Sequence, residues 1–276
     1  MNVPRIQGLV LAGGRSTRMQ RDKAAIEFRT GETQLDTAMK LLGTRVAKAF
    51  VSVREDQKQD PARARYPHIV DRGDIQGPIA GISAAFATYP DAAWLVLACD
   101  LPFLDAATLD YLIVNRDRER DATAFRSSHD GLPEPLCAIY EPRALAAIAA
   151  HVAGGRNCPR KFLINANTRL LDPLNPHALD NVNTVAEYGA AMSALDTLEI
   201  RVQYYALLRE QAGRSVETLA TRARTPRELY AELAAKYPFT LPSEMLRVAV
   251  NAEFGDWSQP LKAGDAVVFI PPVAGG

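Results

Sequence analysis

The sequence predicts an α/β protein whose mostly parallel sheet is covered on both faces, followed by a small α+β roll. Three observations carry this. Ile6–Leu11 and Trp94–Ala98 are short continuous apolar runs, the pattern of strands buried on both sides. Between them, apolar residues recur at helical spacing, so strand alternates with helix. Beyond about residue 198 the period shortens: Ile200, Val202 and Tyr204 alternate, as on a half-buried strand.

In chain order, Ile6–Leu11 is a strand running into Gly13-Gly14. Leu35, Met39, Leu42 and Val46 share one helical face. Phe50–Val53 and His68–Val70 are the next strands. Pro78 stands where a helix can begin, with Ile79, Ile82 and Phe86 along one side. After Trp94–Ala98, Asp105 caps a helix carrying Leu109, Leu112 and Ile113. Thr184-Val185-Ala186-Glu187 has the spacing of a capping box, and an alanine-rich helix follows to about Leu195. A linker near 193–198 places one domain at 1–194 and a second at 198–276. In the second, Val216 and Thr218 pair with the 200–204 strand across a turn at Gly213. Thr225-Pro226-Arg227-Glu228 opens a helix whose stripe is Leu229, Leu233 and Tyr237. Val248 and Val250 begin another strand, and Lys262–Asp265 turns into a final one at Val267–Ile270.

Composition excludes several function classes. Of 276 residues, 47% are apolar, an ordinary globular share. Lys+Arg and Asp+Glu both total 32, so there is no basic footprint for nucleic acid. No apolar run reaches the roughly 18 residues of a membrane span, and the first residues lack the pattern of a signal peptide. Cys99, Cys137 and Cys158 form no C-x-x-C pair and leave an odd one, as in a cytoplasmic protein with reduced thiols.

Four segments hold the polar chemistry. The first is Leu9-Val-Leu-Ala-Gly-Gly-Arg-Ser-Thr-Arg-Met-Gln-Arg-Asp-Lys23. Glycines let the backbone approach a ligand closely. Successive N–H groups of such a turn form an anion-binding nest, and Arg15, Arg18 and Lys23 add charge for a polyphosphate. The segment is neither G-x-G-x-x-G nor a P-loop. The second is Asp71-Arg-Gly-Asp-Ile-Gln-Gly-Pro-Ile-Ala-Gly81. The third is Cys99-Asp100-Leu101-Pro102, an acid just past a buried strand, where open α/β sheets bind ligands. A carboxylate there suits Mg²⁺, which takes oxygen ligands and bridges to phosphates. The fourth is Asn181-Val182-Asn183-Thr184. Taken singly, each also fits ordinary turn, loop or capping chemistry.

Their order along one chain resembles molybdenum cofactor guanylyltransferases over about residues 5–190. The resemblance implies a Rossmann-like nucleotidyltransferase fold and a Mg²⁺-dependent transfer of GMP from GTP to the terminal phosphate of molybdopterin, with pyrophosphate leaving. By position, Leu11, Ala12 and Gly13 would line the nucleotide with Gly14 in the same turn. Arg18 matches a basic position of the loop, and Lys23 would neutralise phosphate charge. Asp71 would help fix the nucleotide, Asp100 would hold the metal, and Asn181 and Asn183 would face the pterin. The chain departs from the family at Gln20, where glycine is usual, and at Val51-Ser52-Val53-Arg54, which lacks an asparagine often found there. Related cytidylyltransferases show L-A-A-G at the loop, so Gly13 favours GTP. A cytidylyl- or sugar-phosphate nucleotidyltransferase, and a carrier with an inactive transferase domain, are the alternatives.

The second region resembles the small subunit of molybdopterin synthase, a ubiquitin-like β-grasp sulfur carrier. The residues are Val202–Gly213, Thr225–Leu229, Ala249–Asn251 and the ending F-I-P-P-V-A-G-G. The resemblance implies that Gly276 is adenylated by a ubiquitin-activating-like enzyme and converted to a thiocarboxylate. It would then donate sulfur within the large subunit of molybdopterin synthase. Six residues from Pro271 extend about 20 Å, and prolines hold such a tail off the last strand.

Overall fold

The computed structural model of the chain describes residues 4–14, 26–29, 32–182 and 184–272. The chain divides into two compact units, Met1–Ala191 and Met192–Gly276.

The first unit begins with β1 (Ile6–Leu11), a two-stranded ribbon of β2 (Glu27–Arg29) and β3 (Glu32–Thr33), α1 (Gln34–Gly43), β4 (Ala49–Val53), α2 (Pro61–Ala64) and β5 (His68–Val70). It continues through α3 (Ile79–Thr88), β6 (Ala93–Ala98), α4 (Ala106–Val114), β7 (Ala122–Arg126), β8 (Pro133–Tyr140), α5 (Leu145–Ala153), α6 (Pro159–Asn165) and β9 (Thr168–Leu171). Helix α7 (Val185–Leu195) leads out of it. The main sheet has the order β5-β4-β1-β6-β8-β7-β9. Every neighbouring pair is parallel except those made by β8, which runs against both β6 and β7.

Adjacent strand residues point to opposite faces, and here both faces are apolar. Val10, Val51, Leu95 and Leu97 pack under Leu35, Leu42, Leu109 and Leu112 on one side. Leu9, Phe50, Trp94 and Val96 pack under Ile79, Ile82, Phe86 and Phe162 on the other. Each such fully buried side chain contributes about 1.5–3 kcal/mol. The caps read from the sequence are in place. Asp105 Oδ1 accepts from Thr108 N at 2.8 Å. Thr184 Oγ1 accepts from Glu187 N at 3.2 Å, while Glu187 Oε2 accepts from Thr184 N at 3.1 Å. Helix α1 adds a capping box between Thr33 and Asp36.

The second unit contains β10 (Leu198–Tyr204), α8 (Ala206–Ala212), β11 (Val216–Thr221), α9 (Pro226–Lys236), β12 (Arg247–Val250), β13 (Glu253–Phe254) and β14 (Ala266–Ile270). Its sheet order is β11-β10-β14-β12-β13, with the first and last strands parallel neighbours at the centre. Leu229 and Leu233 of α9 cover Ile200, Val202, Val267 and Phe269. The sequence pattern anticipated a tight turn at Gly213 between β10 and β11. The strands do pair antiparallel, but helix α8 stands between them and ends at Gly213. Leu208 of α8 is fully buried in this core, so tertiary packing makes an element that local periodicity did not reveal.

Candidate active site

The carboxyl ends of β1, β4, β5 and β6 finish at one edge of the sheet. The registers Leu11↔Ser52, Leu11↔Ala98 and Val53↔Val70 bring the residues that follow those strands together. They are Ala12-Gly13-Gly14, Arg54, Asp71 and Cys99-Asp100. An edge of parallel strands opening into loops is where such sheets bind ligands.

Asp71 is the centre of this edge. Its backbone N donates to Val53 O at 2.8 Å, which fixes it directly after β5. Ser52 of β4 donates its hydroxyl to Asp71 Oδ1. Burial pushes the carboxyl above the ordinary range, partly offset by the Ser52 hydroxyl and the Arg54 charge. Two glycines make room for it. A Cβ on Gly13 would lie 2.7 Å from Asp71 Oδ2, and a Cβ on Gly81 would lie 2.9 Å from Leu11 Cδ2 and 3.0 Å from Asp71 Oδ1. Gly81 lies in the first turn of α3, so the helix seats its start against Ser52, Leu11 and Asp71 only because it carries no side chain there.

Asp100 follows β6 and is partly exposed. Its backbone carbonyl accepts from Val182 N at 3.1 Å. That contact brings the Asn181-Val182 loop, with an exposed Asn181, beside the acid. Among the described residues there is no cluster of three or more His, Cys, Asp or Glu side chains suited to hold a metal. Mg²⁺ shared with a polyphosphate needs only one or two protein carboxylates, so a single partly exposed carboxylate, Asp100, fits that donor set.

Of the residues singled out from the sequence, Leu11, Ala12, Gly13, Gly14, Asp71, Asp100 and Asn181 are gathered at or beside this edge. Arg18, Lys23, Asn183 and Gly276 lie outside the described residues. Four neighbours were given no site role from the sequence, although Ser52, Arg54 and Gly81 lie in stretches singled out there. Ser52 reads as one polar residue on an apolar strand, yet it is 1% exposed and bonded to Asp71. Gly81 passes for a helical glycine. Arg54 donates Nη1–H to Gly13 O. Arg63, 1% exposed on the short helix α2, donates Nε–H and Nη2–H to Ala12 O at 3.1 and 2.8 Å. No periodicity marks an arginine as buried, because its type is nearly always exposed. Among the described residues, no helix is long and apolar enough to cross a membrane.

The family model described as the MobA-like NTP transferase domain matches residues 8–173, and the ThiS family model matches residues 202–276. The chain is similar to the molybdenum cofactor biosynthesis bifunctional protein of Synechocystis sp., 35% identical over 184 residues, 67% of this chain and 53% of that protein. It therefore spans about half the length of that relative. It is also similar to a protein named "Probable molybdenum cofactor guanylyltransferase" from Opitutus terrae, 35% identical over 165 residues, 59% of this chain and 79% of that protein. In fold, it resembles the solved molybdopterin-guanine dinucleotide biosynthesis protein A of Archaeoglobus fulgidus, with a TM-score of 0.54 at 21% identity over 67% of this chain and 96% of that one.

Proposed function

This chain belongs to the MobA-like NTP transferase family and carries a ThiS-family domain after it, and from that premise we propose that it serves molybdenum cofactor biosynthesis twice. The first unit transfers GMP from GTP to molybdenum-molybdopterin. The second carries sulfur for molybdopterin synthase.

For the first unit, the observation that carries the reading is Gly13 pressed against a half-buried Asp71, with Asp100 beyond the next parallel strand. The glycine turn receives the nucleotide where its amides face the ligand. Asp71 presents Oδ2 toward the same turn while Ser52 holds Oδ1. A terminal phosphate oxygen of the pterin attacks the α-phosphorus of GTP. A new P–O bond forms as the bond to the β-phosphate bridging oxygen breaks, and pyrophosphate departs with that electron pair. Such transfers depend on positioning and charge neutralisation more than on covalent help. Asp100 would hold Mg²⁺, which when bound offsets the charge of the triphosphate. Lys23 and Arg18 are proposed to add positive charge to the same phosphates, Gly14 to extend the turn, and Asn181 and Asn183 to face the pterin.

For the second unit, the ThiS match supports the tail chemistry. The Gly276 carboxylate is proposed to be adenylated by an activating enzyme and converted to a thiocarboxylate. The large subunit of molybdopterin synthase then receives the tail.

Calorimetric titrations of the full chain with GTP, CTP and ATP in Mg²⁺ test the first half. GTP is expected to bind at least about tenfold more tightly than either competitor, which corresponds to about 1.4 kcal/mol. Equal or tighter CTP binding would turn the reading to a cytidylyltransferase. No binding of any nucleotide would leave a carrier fused to an inactive domain.

A further inference from the structure

The segment between β4 and β5 approaches the glycine turn with two arginines, each held by its own aspartate. Arg54 forks onto Asp56, with Nε to Oδ1 at 3.0 Å and Nη2 to Oδ2 at 3.1 Å, which leaves Nη1 to donate to Gly13 O. Arg63 pairs Nη1 with Asp60 Oδ1 at 3.1 Å and sends Nε and Nη2 to Ala12 O. Asp60 is itself fixed, because the same oxygen caps α2 by accepting from Ala62 N and Arg63 N at 3.1 and 3.2 Å. Two consecutive carbonyls of the turn are thus each gripped by a guanidinium whose orientation is set independently.

A trans peptide is planar, so its C=O and the following N–H point in opposite directions. Holding the Ala12 carbonyl therefore sets the Gly13 N–H, and holding the Gly13 carbonyl sets the Gly14 N–H. Among the described residues, neither of those N–H groups has an acceptor. Both glycines lack the side chain that would otherwise restrict their backbone, so without the grips this turn samples many conformations. A charged donor on a carbonyl is among the stronger neutral-to-ion contacts available for such a task. The alternative of a purely structural buried arginine does not explain why two separate Arg–Asp couples converge on adjacent carbonyls.

We propose that Arg54 and Arg63 are positioning residues that hold the Gly13 and Gly14 amides aimed at acceptor atoms of the bound nucleotide. The inference rests on the nucleotide-binding reading above. It assigns the two arginines no contact with the nucleotide itself. Their effect is on the fraction of chains whose turn is ready to bind. Apparent affinity falls in proportion to that fraction.

The test uses the full chain as wild type, Arg54→Met and Arg63→Lys, with Asp110→Asn as a control that breaks an exposed ion pair to Arg45. Two readouts are taken: backbone ¹⁵N order parameters at Gly13 and Gly14 without nucleotide, and the GTP dissociation constant. The order parameter is expected to fall from about 0.85 to below about 0.6 at Gly14 in Arg54→Met and at Gly13 in Arg63→Lys, and to stay unchanged at both in the control. The GTP dissociation constant is expected to rise at least about tenfold, with turnover at saturating GTP within about twofold of wild type. If Arg63→Lys does not fold, Arg54→Met, at a partly exposed position, decides alone. A turn that stays ordered in Arg54→Met overturns the proposal, as does a loosened turn with unchanged GTP affinity. A wild-type chain that binds no GTP would sink the nucleotide-binding reading alone, and the order parameters would still decide whether the arginines hold the turn.

Discussion

Gly13 and Asp71 are packed so closely that a single methyl group on the glycine would stand 2.7 Å from the Asp71 Oδ2 atom. Asp71 cannot simply swing aside, since its other oxygen accepts from Ser52 and lies against Gly81. Gly13→Ala is therefore expected to displace the carboxylate and weaken GTP binding at least about tenfold, with a stability change of no more than about 1 kcal/mol. Calorimetry on a variant with a wild-type melting curve checks it. Unchanged GTP affinity would contradict the close-packed site.

Asp71 also carries a cost in stability. Burial raises its carboxyl above the ordinary 3.8, so the folded chain holds that proton more tightly than the unfolded chain does. Between 3.8 and the raised folded value, stability falls as pH rises, and above it the full penalty is present. Asp71→Asn removes the charge and keeps an oxygen for Ser52. At pH 7 it is expected to raise the melting midpoint of the first unit by about 1–3 °C while weakening GTP binding. A lower midpoint in that variant would show that the charge is stabilised rather than strained.

The second unit has the opposite pH dependence at Glu217. Burial alone would push its carboxyl up. Hydrogen bonds from Tyr204, Lys236 and Tyr237, together with the Lys236 charge, bring it below the ordinary 4.5. Tyr204 OH donates to Oε1 at 2.6 Å, and Lys236 Nζ to Oε2 at 2.9 Å. This contribution is fully present above about pH 4.5 and is lost as pH falls through the lowered folded value. Glu217→Gln is expected to cost about 1–3 kcal/mol at pH 7 and to flatten the acid limb. Trp257 fluorescence in a Trp94→Phe background isolates this unit, because the chain has only those two tryptophans. An unchanged acid limb would mean the network adds nothing.

The tail gives a covalent readout. With an activating enzyme, ATP and a sulfur donor, the proposed replacement of one oxygen of the Gly276 carboxylate by sulfur is expected to raise the intact mass by about 16 Da. Deleting Gly276 leaves the end about 3.5 Å short, far outside the tolerance of a reacting geometry. The truncated chain is expected to bind the large synthase subunit and transfer no sulfur, with GMP transfer unaffected. Sulfur transfer by the truncated chain would refute the carrier assignment.

Much of this architecture was legible because burial on both sheet faces writes continuous apolar runs, as at Trp94–Ala98, and because caps such as Asp105 and Thr225 use side chains with one evident role. Strand β8 was not. It opens Pro-Glu-Pro, which reads as loop; the prolines precede the stretch, Cys137–Tyr140, that pairs with β6, and Pro133 meets β7 at Arg126 beyond an irregularity in that ladder. At the site, Gly13, Asp71 and Asp100 stand beside strand ends and so announced themselves. Ser52, Arg54 and Arg63 did not, since their roles come from contacts across 19, 41 and 51 residues of chain that no local pattern encodes.

The central claim is that the first unit moves GMP from GTP onto molybdenum-molybdopterin with Asp100 at the reacting phosphates. The most direct measurement follows pyrophosphate and the GMP-bearing pterin together when the full chain is mixed with molybdenum-molybdopterin, Mg²⁺ and GTP, CTP or ATP in turn. The account predicts equimolar pyrophosphate and product with GTP, at least about tenfold less with CTP or ATP, and none with Asp100→Ala in a variant that keeps its fold and its tail chemistry. Wild-type rates in Asp100→Ala, or no pyrophosphate from GTP in the wild-type chain, would contradict it.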